Sequence, residues 1–387
     1  MHILLNAVAA TAGGGLTYLR NVVPHLSAAS GVALTALIPP DIEDPDHRSN
    51  VTYIKFEVQG GTAMRFWREQ KEIPKLIAQT GAEILISAGN FAVRHSPIPQ
   101  ILLSRNSLYT SQDFYEDLLR RRHYSIWLDT KLKGIFAKRS IRWAQVTVAP
   151  SAAFAQELEN YSGHEIRAVH HGFDQRQFFN SASPLSRSTQ FQLDAAQDCF
   201  RILLVSHYNY YRNFETLFRG LALAKKRAPG KKFRLFLTCK LVSTENPGSY
   251  RTDEAAGLVH SLGIQEDVVE LGAVPHDQLP NLYRACHAYA TAAYAESFAH
   301  PLVEAMSCGL PIIASGIAVH REICQGAAIF FDRFVPEEFA QALLQVAQSQ
   351  DLAATLSSQA LRRSCDFSWA KHARDLLALA SSLLDVA

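Results

Sequence analysis

Two carboxylates, Glu296 and Glu304, bracket the stretch of this chain best equipped for chemistry: Glu296-Ser-Phe-Ala-His-Pro-Leu-Val-Glu304, followed by Ala-Met-Ser-Cys-Gly-Leu-Pro-Ile-Ile-Ala-Ser315. The pattern predicts a loop, a helix starting near Pro301 and a buried strand over residues 310–314. Proline suits the first helical position, where its missing N–H would be unpaired anyway. Gly309 stands where a helix stops in a left-handed residue, and the apolar run after it is short enough for a central strand. Ser297, Phe298, Ala299 and His300 then present backbone N–H groups at a helix N-terminus, a cradle for phosphate. One carboxylate precedes the cradle and one follows it. Acceptors on both sides of an anion site suit a ligand with a diphosphate in the middle and hydroxyls at its ends, which is the shape of a sugar nucleotide.

Further candidates lie where strand-like runs give way to loops. Gly13-Gly14-Gly15 follows the first apolar run and opens a helix. Gly14 and Gly15 let a phosphate or sugar approach the backbone with no Cβ in the way, although the spacing fails the G-x-G-x-x-G of a dinucleotide site. His207 and Arg212 follow the run 200–206. Arg212 offers paired donors to phosphate oxygens, whereas His207 assists an anion only if protonated. Lys240, after the run 233–238, either supplies another cation or faces solvent. Arg105, after the run 101–104 and beside Asn106, either binds a carboxylate or phosphate or serves as a structural ion-pair partner. Asp44-Pro45-Asp46 mimics a metal-binding D-x-D but follows no strand, and no metal site is expected there.

Composition bounds the classes open to the chain. Its 387 residues suggest two or three domains, and 48% hydrophobic against 19% charged content lets each bury a core. A net charge of +2 gives no nucleic-acid footprint. The six cysteines form no C-x-x-C pair and read as reduced core thiols of a cytoplasmic protein, not a disulfide frame or zinc site. No Lys or Arg precedes the first apolar run, so residues 1–10 read as a strand rather than a signal peptide, and no segment reaches the length of a membrane span.

The elements that must position these residues alternate. Strand and helix patterns follow one another from residue 3 to 172, a polar serine-rich stretch over 175–197 reads as a linker, and the alternation restarts at Phe200. Two such series imply an α/β protein of two doubly wound domains with parallel sheets, whose ligands sit outside the carboxyl ends of the strands. Residues 120–142 hold eight Lys or Arg and one acid, Asp129, with Leu128, Leu132, Ile135 and Phe136 at helical spacing. The preferred reading is a solvated helix that packs this stripe on the core; the other is peripheral contact with anionic lipid or a charged acceptor.

The segment from Glu296 resembles the E-x7-E signature of retaining glycosyltransferases of family 4, which have the GT-B fold. The usual form runs Glu-Gly-Phe-Gly-x-x-x-x-Glu-Ala-Met-Ala-x-Gly-x-Pro-Val. Glu296, Phe298, Pro301, Glu304, Ala305, Met306, Gly309 and Pro311 keep the pattern, while Ser297 and Ala299 replace its two glycines. The resemblance implies an acceptor-side domain over 1–180, a donor-side domain over 198–365, facing it across a cleft, and a closing helix over 366–387 that returns to the first. Glu296 is implied to hold sugar hydroxyls and Glu304 ribose hydroxyls. Arg212-Asn213 fits the family's Lys-Asn, His207 stands where arginine is usual, and Lys240 where Gly-x-Gly is usual. Val274, in Gly272-Ala273-Val274, falls in the loop that meets the nucleobase. Arg105 and Asn106 replace a histidine that faces sugar and acceptor, and Asp174, in His170-His171-Gly172-Phe173-Asp174, matches the family's interdomain turn.

The expectation is therefore a cytoplasmic enzyme that moves a sugar, with retention, from a UDP-, GDP- or ADP-linked donor to a hydroxyl acceptor. It would need no cofactor and no metal, because cations and helix N-termini stabilise the leaving diphosphate. Three other classes share part of this pattern. A glycoside hydrolase needs its carboxylates on either side of one bond, and here they straddle a phosphate cradle. A non-catalytic sugar-nucleotide binder and a GT-B-type sugar-nucleotide epimerase share the fold and the ligand.

Overall fold

A computed structural model gives the fold and describes residues 1–11, 13–44, 46–57, 60–246 and 250–386. Contacts divide the chain into two units. The first comprises Met1–Thr110, Trp127–Gly172 and the stretch from Ser368; the second comprises Ser111–Ile126 and Phe173–Phe367.

The first unit is built on seven strands: β1 (His2–Asn6), β2 (Ala33–Ile38), β3 (Val51–Lys55), β4 (Ile84–Ser87), β5 (Gln100–Leu103), β6 (Val146–Ala149) and β7 (Arg167–Ala168). They pair in parallel in the order β3-β2-β1-β4-β5-β6-β7. Residues of β1 alternate between two cores. Ile3 and Leu5 pack with Tyr18, Val22 and Leu376, while Leu4 packs on the other face with Ile73, Ile77 and Leu85. Burial on both faces explains why the central strands are apolar throughout rather than alternating. The closing helix Trp369–Val386 belongs to this unit. Tyr18 Oη and His372 Nε2 lie 3.0 Å apart, and His372 Nδ1 lies 2.8 Å from the carbonyl of His170. Gly172 admits the helix start, since a Cβ there would lie 2.0 Å from the backbone nitrogen of Trp369.

The second unit holds β8 (Phe200–Leu204), β9 (Phe233–Leu237), β10 (Val268–Glu270), β11 (Ala288–Thr291), β12 (Ile312–Ser315) and β13 (Ala328–Phe331). These are parallel in the order β10-β9-β8-β11-β12-β13. Both sheets, with helices between most successive strands, have the α/β GT-B architecture expected from the sequence.

Four local readings are corrected. Residues 175–197 are not an irregular linker: helices Gln175–Asn180 and Arg187–Asp194 form there, capped by Asp174, which accepts from Gln177 N–H, and by Ser186, which accepts from Thr189 N–H. Polar cap residues made a helical stretch read as a loop. Asp174 is accordingly a cap. The sequence reads as strands over 166–170 and 51–58, but pairing covers only Arg167–Ala168 and Val51–Lys55, with Val58 outside the described residues. The segment Ser111–Ile126, inside the expected first domain, makes its contacts in the second unit. Finally, the stripe Leu128, Leu132, Ile135 and Phe136 does not pack on the core; all four side chains are exposed.

Candidate functional site

Strands β8 and β11 are neighbours, and the chain runs from β8 outward to β9 and β10 on one side and from β11 to β12 and β13 on the other. The loops after β8 and β11 therefore leave the same edge on diverging paths, the position where doubly wound sheets bind ligands. This topology brings together Arg212 and Glu296, 84 residues apart, as a hydrogen-bonded ion pair.

Each partner is fixed from its own side. Arg212 ends a short turn, Tyr210–Arg212, and Asn213 follows in the left-handed conformation at φ 51°. Asparagine tolerates that conformation better than other side chains with a Cβ, and its amide donates to the carbonyl of Ala292 at 3.3 Å. Tyr294 N–H donates to Tyr211 O at 2.9 Å. The arginine turn is thereby stitched to the loop that carries Glu296, and the guanidinium lies over the Tyr211 ring.

After Glu296 the loop runs through half-buried Ser297 and buried Phe298 to Ala299. The Phe298 ring packs 4.8 Å from His300 and 5.4 Å from Phe367. Ala299 occupies φ 68°, ψ 63°, and precedes helix His300–Ser307, with Pro301 in its first turn. Glycine is the residue that adopts this conformation without strain, so the glycine usual here is explained, and alanine bears the cost. Gly309, at φ 71°, lets the chain turn into β12.

Glu304 lies on the same helix and is buried. Tyr283 Oη donates to its Oε2 at 2.9 Å, and His276 Nε2 lies 3.7 Å from its Oε1. Burial, with the Glu304 charge beside it, raises the Tyr283 phenol well above its ordinary range, so it remains a donor. The two glutamates thus have separate partners, Glu296 a cation and Glu304 a phenol.

One residue of this edge carried no sequence signal. His320, one element beyond β12, is wholly buried. Its Nδ1 lies 3.0 Å from Ser315 O and 2.9 Å from Ser315 Oγ, and that hydroxyl donates to Ala293 O. Both neighbours accept, so Nδ1 carries the proton and Nε2 is an acceptor; it has no hydrogen-bond partner. Burial, reinforced by the charge of Arg212, pushes this imidazole down to about 3. It is a neutral, buried polar group within electrostatic reach of Arg212, held by Ser315.

The remaining candidates fall elsewhere. His207 is exposed at the end of β8. Lys240 is half-buried rather than solvent-facing, and its ammonium donates to Glu270 O at the end of β10 at 2.6 Å. It forms no ion pair among the described residues, and its chain flanks the loop holding half-buried Val274.

In the first unit, Gly14 and Gly15 lie in the first turn of helix Gly13–Ser27, after β1. Gly15 packs against Ala10, while a Cβ on Gly14 would meet open space. Arg105 is not an ion-pair partner: among the described residues no carboxylate pairs with it. Its guanidinium donates to Ala88 O at 2.5 Å, lies 4.6 Å over the Tyr18 ring, and leaves its Nε buried without a partner. Burial lowers its proton affinity. Asn106 caps the next turn by accepting from Leu108 N–H. Asp44 is paired with Lys55 and Asp46 with Arg48, while Pro45 lies outside the described residues.

Comparison with known proteins agrees with this geometry. The family described as "Glycosyl transferases group 1" matches residues 187–363, the stretch that holds Arg212, Glu296 and Glu304. D-inositol 3-phosphate glycosyltransferase of Salinispora arenicola is 27% identical over 220 residues, 55% of this chain and 48% of that protein. The Rhodococcus erythropolis protein of the same name is 30% identical over 168 residues, 42% of this chain and 37% of its own. The matched region spans less than half the length of these relatives. Among solved structures, sucrose-phosphate synthase from Thermosynechococcus elongatus superposes with a TM-score of 0.79 at 17% identity, covering 100% of both chains. Anabaena HepE in complex with UDP gives 0.73 at 17% identity, covering 99% of this chain and 100% of that one. The whole chain is thus similar in fold to GT-B proteins, and its second unit is similar in sequence to group 1 glycosyl transferases.

Proposed function

We propose that this protein transfers a sugar from a nucleotide-diphosphate donor to a hydroxyl acceptor with retention at the anomeric carbon, as in the retaining glycosyltransferases of family 4. The observation that carries the reading is the Arg212–Glu296 pair at the β8/β11 divergence, with Glu304 further along the helix that begins at His300. A nucleotide diphosphate draws Arg212 to its oxygens, where charge builds as the glycosidic bond breaks. Glu296 is thereby released to hold sugar hydroxyls, and Glu304 takes the ribose hydroxyls.

The bond from the anomeric carbon to the diphosphate oxygen breaks, and its electron pair leaves with the diphosphate. The acceptor oxygen bonds to the same face, and its proton passes to the departing diphosphate. On this reading Glu296 holds sugar hydroxyls and Glu304 ribose hydroxyls, so neither is assigned as a covalent nucleophile. On this reading Arg212 and the helix start stabilise the leaving group without a divalent ion, and a chelator leaves turnover unchanged. Arg105, a half-buried cation with no carboxylate partner among the described residues, fits a phosphate or carboxylate on the acceptor side, with Asn106 beside it.

The test needs no acceptor. Slow hydrolysis of UDP-glucose is followed by proton NMR, reading the anomer first released. Retention predicts α-glucose, abolished by Glu296→Ala. Release of β-glucose contradicts the stereochemistry. A free epimerised nucleotide sugar points to an epimerase, and tight binding without any turnover of UDP-, GDP- or ADP-sugars points to a binding protein.

A further inference from the structure

Helix Tyr124–Trp143 is turned inside out relative to an ordinary surface helix. Its buried positions are Thr130, Gly134, Ala137, Ser140 and Ile141, mostly small or polar. Its large apolar side chains face outward: Leu128, Leu132, Ile135 and Phe136 are between 41% and 54% exposed. Leu128, Leu132 and Ile135 recur at i, i+4 and i+7, and the same face continues through Arg139 and Arg142. Both arginines are exposed and pair with no carboxylate among the described residues. Exposed Lys131 flanks the stripe, and the helix's one acid, Asp129, is bound to Lys133 at 2.6 Å.

A neighbouring helix extends the patch. Phe66, in helix Thr62–Thr80, packs 5.5 Å from Phe136. That helix start also carries Met64 and Trp67, and Trp67 is 65% exposed. Tryptophan, with an apolar ring and a polar N–H, suits the boundary between headgroups and acyl chains. No helix among the described residues is long and apolar enough to cross a membrane.

We infer that the face formed by Leu128, Leu132, Ile135 and Phe136, with Lys131, Arg139 and Arg142 along it, docks on the surface of an anionic lipid bilayer. Apolar side chains in line with the exposed guanidinium groups of Arg139 and Arg142 match the acyl boundary and the phosphate layer of such a surface. A second copy of the chain fits less well, because a two-fold interface sets the same patch against itself and brings the arginines together. Nucleic acid offers phosphates but nothing for the leucine stripe. The surface is independent of the glycosyl-transfer reading and needs no donor.

The test is flotation of the full chain with vesicles of phosphatidylcholine alone or mixed with phosphatidylglycerol. Two double variants accompany it, Leu132→Ser/Ile135→Ser and Arg139→Glu/Arg142→Glu. The protein is expected to float with the anionic vesicles and not with the neutral ones. Each variant should lose roughly tenfold or more of that partition while keeping its thermal midpoint. Equal recovery with both vesicle types, or wild-type partition in either variant, overturns the inference. So does a concentration-dependent dimer, without vesicle binding, that the serine variant dissolves.

Discussion

Ala299 holds a conformation that alanine resists, and the resistance is measurable. A left-handed residue with a Cβ costs about 1–2 kcal/mol, part of which glycine returns as chain entropy when unfolded. Ala299→Gly is therefore expected to raise stability by about 1 kcal/mol, read as a higher urea midpoint at unchanged slope; a lower midpoint contradicts the strain. The site was legible at this scale wherever the chemistry is local: Glu296 and Arg212 stand in segments that follow strands, Glu304 stands on the helix that comes next, and strand ends can be read from apolar runs. His320 was not, because nothing in its neighbours tells a buried histidine from a surface one. Arg105 was read with two open roles, and only coordinates show that no acid faces it.

The segment Ser111–Ile126 illustrates what elements hide. Arg121 looks like one member of a basic run, yet its side chain is 7% exposed and pairs with Asp117 at 3.0 Å, Glu215 at 2.9 Å and Glu254 at 2.7 Å. Tyr294 Oη donates to the other oxygen of Asp117 at 2.9 Å. Removing one member of such a buried network strands the others, at a cost of about 3–5 kcal/mol. Arg121→Met should lower the denaturant midpoint by that measure, whereas exposed Arg122→Met should change it little; equal effects would mean the network is only decorative. The following helix was misread for a related reason. Periodicity located its apolar stripe but not the direction it faces, since the inward side, Thr130, Gly134 and Ala137, carries no hydrophobic signal.

Across the whole molecule, two buried histidines couple folding to pH, one in each unit. Burial holds His320 down to about 3 and His372 down to about 4, from 6.5 when free. Below pH 6.5 the unfolded chain takes protons that the folded chain refuses. The stability tied to the neutral forms is full above that pH and is lost as pH falls toward 4 for His372 and 3 for His320. Urea midpoints at pH 7 and pH 5 should decline in the wild type and decline less in His320→Asn/His372→Asn; parallel declines would assign the acid sensitivity to other groups. The parallel order of both sheets followed from alternating strands and helices, because a parallel pair needs a crossover. The contact units did not follow, since Ser111–Ile126 joins the second through ion pairs and aromatic packing that periodicity does not report.

A nucleotide diphosphate is proposed to bind where β8 and β11 diverge. Titration calorimetry of UDP, GDP and ADP into the wild type, Arg212→Ala and Glu304→Ala reports on it directly. At least one nucleotide is predicted to bind, with affinity reduced roughly tenfold or more in each variant, the loss expected for a charged hydrogen bond. No binding by any of the three, or binding that both variants leave intact, would contradict it.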